Sequence, residues 1–210
     1  MTQHVSSHPT STDLLVLHAL RCAGFSGRAR VAAVTGLAES DVESELIDLA
    51  VAGLVTHTAG AFGGWGLTEA GRSADAARVA DELATAGARA AVTAAFERFL
   101  VLNPELLDLC TAWQMRAADG AMTMNDHTDA AYDARVLNRF TEFHGRAEPV
   151  CAELSAVLLR FQRYPVRLAE ALARAKAGEL EYVADGTASY HAVWFQLHED
   201  LLATLGIPRH

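Results

Sequence analysis

Apolar residues along this chain recur mostly three or four apart, the spacing that lines one face of a helix. Leu14, Leu15, Leu17, Leu20 and Cys22 predict a first helix, with Ser11, Thr12 or Asp13 to cap it and Gly24 and Gly27 to end it. Residues 28–34 read as a short second helix closed by Gly36, which suits a left-handed C-terminal cap. A third opens at Ala38-Glu39-Ser40-Asp41 and turns Val42, Leu46, Leu49 and Ala50 inward. After the stop at Gly53 the pattern changes. Leu54-Val55-Thr56-His57 and Trp65-Gly66-Leu67 predict two short strands joined by a small, uncharged loop, and Thr68 caps the helix that follows.

From Thr68 onward the sequence reads as successive helices. One runs to about Thr85, and another covers residues 89–102. Asn103-Pro104 is expected to open a third over 105–117, because proline suits the first helical position. Residues 118–127 read as a loop. Thr128 is expected to cap a helix over 129–146, Pro149 to start another, Pro165 a further one ending at Gly178, and residues 185–189 to cap the last. Six or seven helices with no strand pattern among them predict a bundle. The expected layout is a flexible tail over 1–10, a first domain over 11–75 and an all-α domain over 76–210.

The run AGLVTHTAGAFGGWGLTEAGR, residues 52–72, resembles the end of MarR- and PadR-like winged helix-turn-helix regulators, in which a β-hairpin wing leads into a Thr-capped helix. The resemblance covers about a third of the chain and implies a mostly α protein: a winged helix with a small hairpin, then a helical bundle that senses a ligand, dimerises, or both. It implies base contacts near Glu39, Ser40, Glu43 and Ser44, and a wing at 58–63. Arg28, Arg30 and Arg72 would reach phosphates. DNA, a small-molecule effector and a second copy of the chain are the implied partners. Leu20-Arg21-Cys22-Ala23-Gly24-Phe25, taken with GWGLTEAGR, is also similar to a small helical segment of pyruvate-phosphate-dikinase-type, phosphoenolpyruvate-using enzymes. The phosphohistidine and nucleotide-grasp regions of those enzymes have no counterpart here, so that likeness implies an accessory or partner module.

Charge pulls against DNA. The formal net charge is -9, with -4 in residues 1–75 (four Arg against eight acids) and -5 in the remainder. The third helix carries Glu39, Asp41, Glu43, Glu45 and Asp48 and neither Lys nor Arg. Nucleic-acid affinity comes largely from neutralising phosphates, and no basic patch is visible. The alternative is an adaptor that does not bind DNA and whose acidic third helix meets a basic protein surface. No apolar run approaches the roughly 20 residues that span a bilayer, and the first dozen residues are polar. Both point to a cytoplasmic protein without membrane contact.

No motif for a nucleophile, a Walker loop, a dinucleotide or a zinc protease is present, so neither an enzyme nor a cofactor is expected. Cys22, Cys110 and Cys151 are widely spaced among apolar neighbours and read as buried structural thiols. His191 and His198 lie two helical turns apart, about 10 Å, too far to share one metal ion. The ligand-binding candidates are Trp113 and Arg116, with Arg163, Tyr164 and Tyr182. Aromatic walls and an arginine are a common way to hold a carboxylate or phosphate in an apolar pocket, although packing explains Trp113 equally well.

Overall fold

The computed structural model describes residues 7–60, 62–118 and 120–208. The chain is mostly α-helical. Helices α1 (Thr12–Ala23), α2 (Arg28–Thr35) and α3 (Glu39–Val51) lead into an antiparallel hairpin of β1 (Val55–Thr58) and β2 (Gly64–Leu67). Then come α4 (Glu69–Thr85), α5 (Arg89–Gln114), a second hairpin of β3 (Met115–Ala118) and β4 (Ala121–Met124), and α6 (Ala130–Val157). A 3-10 turn (Leu159–Gln162) runs into α7 (Arg163–Lys176), and a second (Leu180–Tyr182) precedes α8 (Tyr190–Leu205). None of the described helices is long and apolar enough to cross a membrane.

The first hairpin is built by small residues that let other groups approach. In β2, Gly64 and Gly66 share one face, and a Cβ on either would lie within 2.9 and 3.3 Å of the Phe25 ring. On the other face Trp65 packs on His57, ring centroids 4.6 Å apart. Ser26 extends the pairing by one residue, exchanging both backbone hydrogen bonds with Trp65. At the far end Thr68 is a three-way tie. Its Oγ1 accepts from Gly71 N at 2.9 Å, capping α4, and donates to the Gly53 and Leu54 carbonyls. Gly71 has no side chain because a Cβ there would sit 1.9 Å from the Leu54 carbonyl oxygen.

Two apolar clusters result. Val16, Leu17 and Leu20 of α1 pack with Val31, Val42, Leu46 and Val55 in the first. The second fills the space between α5, α6, α7 and α8, with Phe99, Trp113, Phe140, Phe143, Phe161 and Trp194 as its largest members. Helix α1 is buried nearly all round, because it packs on α2 and α3 on one side and on α4 and α8 on the other.

Several expectations for the bundle are corrected. Pro104 does not open a helix but lies inside α5, and Pro149 lies inside α6. An internal proline costs about 3 kcal/mol, yet both helices bury one continuous stripe across it. In α5 that stripe runs from Val92 and Phe99 to Leu106 and Trp113; in α6 it runs from Val136 and Phe143 to Val150 and Leu154. Asn103 is therefore not a cap; its Oδ1 accepts from Trp194 Nε1 at 3.0 Å. Pro165 sits in the first turn of α7, where its missing N–H costs little. The cap of α6 is Asp129, which accepts from Tyr132 N at 2.9 Å, while Thr128 bonds Asp126. Residues 115–118 and 121–124 pair as a second hairpin, so the expected loop over 118–127 is in part a strand and the bundle is interrupted. Of the expected tail, residues 7–10 lie against the bundle: His8 pairs with Leu158 through Leu159 N and the Val157 carbonyl, at 2.9 and 3.0 Å.

Candidate functional site

Between the two apolar clusters lies a closed ionic seam. His18 and Cys22 are one turn apart on α1 and face away from Val16, Leu17 and Leu20. Helix α4 contributes Asp75 and Glu82, α8 contributes Asp200 and Thr204, and the turn before α7 contributes Arg160. Every one of these side chains is buried. The Arg160 guanidinium donates to Glu82 at 2.7 Å and to Thr204 at 2.6 Å, binds Asp200, and stacks over the Phe161 ring at 4.5 Å. Asp200 accepts from the Tyr164 hydroxyl at 2.9 Å. His18 is held at both ring nitrogens, Nδ1 by Asp75 at 2.9 Å and Nε2 by Asp200 at 3.1 Å. Thr10 caps the network by donating to Glu82.

Electrostatics fix the protonation states. Burial on its own would push the Asp200 carboxyl up, but Arg160 and His18 outweigh it and hold the group far below the usual carboxylate range. Burial would strip His18 of its proton, and the neighbours Cys22, Asp200 and Asp75 reverse that, so its pKa is raised well above the ordinary value. Arg160 is raised for the same reason, burial being outweighed by Asp200 and Glu82. Burial and then Asp200 push the Tyr164 phenol up, leaving it a donor. The seam thus sets two cations, Arg160 and imidazolium His18, against the carboxylates of Asp75, Glu82 and Asp200. His18, Cys22 and Asp200 do place a ligand atom each within 4.8 Å of one another. Arg160 Nη1, 3.5 Å from His18 Nε2 and bonded to Asp200, already fills the cationic position there. A metal would have to displace it.

Of the residues expected to touch DNA, Arg28, Ser40 and Ser44 lie together on α2 and α3, while Arg72 and Arg30 lie apart from them. Arg28 is exposed and pinned by two acids of α3, Glu39 at 3.0 Å and Glu43 at 2.7 Å. Arg72 is paired with Glu69 at 2.8 Å. Ser40 and Ser44 are exposed on α3 among its carboxylates. Burial, and then the carboxylates of Asp13, Asp48 and Asp41, push the Glu45 carboxyl upward. Arg30 turns the other way, lining a groove between α2 and α7.

The five expected ligand residues do not share one site. Tyr164 belongs to the seam, and Arg163 lies beside it at the start of α7. Tyr182 lies under Arg174, 3.9 Å from its ring centroid, on the groove that Arg30 lines. Trp113 and Arg116 sit at the base of the second hairpin, where Arg116 pairs with Asp126 at 3.0 Å. There Asn125 ties Asp133 (2.8 Å) to the Trp113 carbonyl (2.9 Å). His127, in the left-handed backbone region at φ 58, is 3.0 Å from Asp133 through Nδ1 and packs on Trp113. The sequence reading found neither this node nor the seam.

No protein-family model, curated protein or solved structure matches the chain.

Proposed function

We propose that residues 11–75 are a winged helix-turn-helix and that the chain is a ligand-responsive, dimeric regulator of transcription. The observation that carries the reading is the order helix, helix, helix, hairpin, capped helix, with Ser26 supplying a short third strand on the hairpin. In this reading α3 enters the major groove, the hairpin is the wing and Arg28 and Arg72 meet phosphate. Their present partners are exposed carboxylates, and exposed ion pairs contribute little, so exchange of a carboxylate for a phosphate is cheap. The seam joins α1 to α4 and α8, and through it a ligand held by the bundle biases the spacing of two winged helices.

A second reading is favoured by the solvent face of α3. Ile47 and Val51 are exposed there beside Glu43 and Asp48, an apolar centre rimmed by carboxylates. Such a face suits an adaptor that grips a basic protein surface, for example on a phosphoenolpyruvate-using enzyme. Fluorescence anisotropy with genomic fragments at 50 mM and 200 mM salt, concentrations where phosphate contacts separate by orders of magnitude, divides the two. A regulator binds specific fragments, and Arg28→Ala or Arg72→Ala lowers the salt slope by about 1 each. Absence of binding at the lower salt refutes the regulator and leaves the adaptor.

A further inference from the structure

Helix α7 sets Arg163 and Arg167 one turn apart on one side, facing α2. Arg167 and Arg30 line an open groove of about 430 Å³ between the two helices, with the exposed Glu170 and with Arg174, the latter held by Glu179 at 3.0 Å, on the same wall. Arg163 lines the next pocket along α7, about 250 Å³, together with Thr35 and Thr10. Arg28, two residues before Arg30, has two carboxylates to itself. Among the described residues no carboxylate pairs with Arg30, Arg163 or Arg167, in a chain with 26 acids against 17 basic residues.

The three guanidinium groups also keep donors that nothing accepts. Arg30 Nε, Arg163 Nε and Nη1, and Arg167 Nη1 are buried without a hydrogen-bond partner; Arg167 reaches one acceptor, Gln196 Oε1, at 2.8 Å through Nη2. Like charges crowd one another here. Burial first, and then Arg163 and Arg30 against the opposing effect of Tyr164, hold Arg167 below the ordinary arginine value. A folded protein ordinarily satisfies buried donors and separates like charges. A multivalent oxyanion in the groove would do both at once, because the guanidinium fork matches the spacing of phosphate and carboxylate oxygens.

We propose that the groove between α2 and α7 is a binding site for a small multivalent oxyanion, held by Arg30 and Arg167, with Arg163 adding positive charge one turn back along α7. Phosphate esters and polycarboxylates share this chemistry. That the anion acts as the effector rests on the regulator reading; that it binds does not. The test is isothermal titration of the full chain with pyrophosphate and, separately, with citrate, at constant ionic strength in chloride and without DNA. Saturable binding of at least one is expected, and which one binds identifies the oxygen source. Arg30→Gln and Arg167→Gln, on different helices, should each weaken it about tenfold or more, and Arg98→Gln, in the half-exposed pair with Glu153, should leave it unchanged. The proposal is overturned if neither anion binds below about 10 mM, or if the Arg30 and Arg167 variants bind as tightly as the unaltered chain. It is equally overturned if Arg98→Gln weakens binding as much as they do. With no DNA in the cell, failure here is separable from failure of the regulator reading.

Discussion

Replacing Arg160 by Met tests whether the seam is an interdependent unit. The side chain is 3% exposed and compensates two carboxylates, Glu82 and Asp200, that are 6% and 0% exposed. Without it both are left buried, Asp200 with the His18 imidazolium and Arg163 nearby and Glu82 with the Thr10 hydroxyl. Breaking a buried ion pair by removing one partner costs about 3–5 kcal/mol, against a total stability of about 5–15 kcal/mol for a typical domain. At about 2–4 °C per kcal/mol for a chain of this size, the melting temperature should fall by about 6–20 °C. The half-exposed pair Arg98–Glu153 supplies the control, since Arg98→Met should barely shift melting. The triple replacement Arg160→Met, Glu82→Met, Asp200→Leu removes charge in step, leaving His18 with Asp75 alone, and should recover most of the loss. Scanning calorimetry of the four proteins decides it. A loss under about 3 °C for the single variant, or a triple variant worse than the single one, would refute the reasoning.

Three further outcomes are expected. Gly71→Ala puts a methyl 1.9 Å from the Leu54 carbonyl oxygen, where only backbone can give way, so it should cost at least the ~1–3 kcal/mol of an overpacked core, read from urea midpoints. His18 has a raised folded pKa, so its ion pairs stabilise fully below its unfolded value near 6.5 and fade as pH rises through the folded one. The stability lost in His18→Gln should therefore shrink at alkaline pH, and a difference that grows with pH would count against the assignment. Burial, then Asp185 for Cys110 and Glu148 for Cys151, pushes both thiols up to about 12, so neither should react with a disulfide reagent at pH 8 until the chain is unfolded.

What was legible in the sequence was local. Gly36 at φ 73, the Thr68 cap and the Trp65 strand each declare themselves within a few neighbouring residues. The prolines misled because the rule that places them at helix starts is also local. Pro104 and Pro149 are overridden by apolar stripes longer than either helix half that the rule would have cut. The second hairpin was missed because β4 is exposed on every residue and shows no alternation, and its one signal is the Asp119-Gly120 pair, a favoured two-residue turn. The seam is assembled from five helical segments, and each member resembles an ordinary polar residue in its own helix. One clue was available: His18 lies in Val16-Leu17-His18-Ala19-Leu20, a helix with no face left for water.

The seam and the arginine groove divide the first 75 residues mechanically. Helix α1 is locked to α4 by His18–Asp75 and Arg78–Asp13, and to α8 by His18–Asp200 and Arg21–Glu199. A rotation of α1 would break several buried contacts together, so α1, α4 and α8 move as one block. Among the described residues helix α2 has no such ion pair to the bundle; it faces α7 across the open groove and joins α1 through Gly24, at φ 72, and Gly27. An anion gripped by Arg30 from one side and by Arg167 from the other therefore ties α2 to α7, while the shared apolar cluster keeps α2 packed on α1 and α3. The consequence is directional. On addition of the bound anion, amide hydrogen exchange should slow in α2 and the first turns of α7 while α1 stays as protected as before. Equal slowing across α1 would mean that the seam, not the groove, is where the molecule yields.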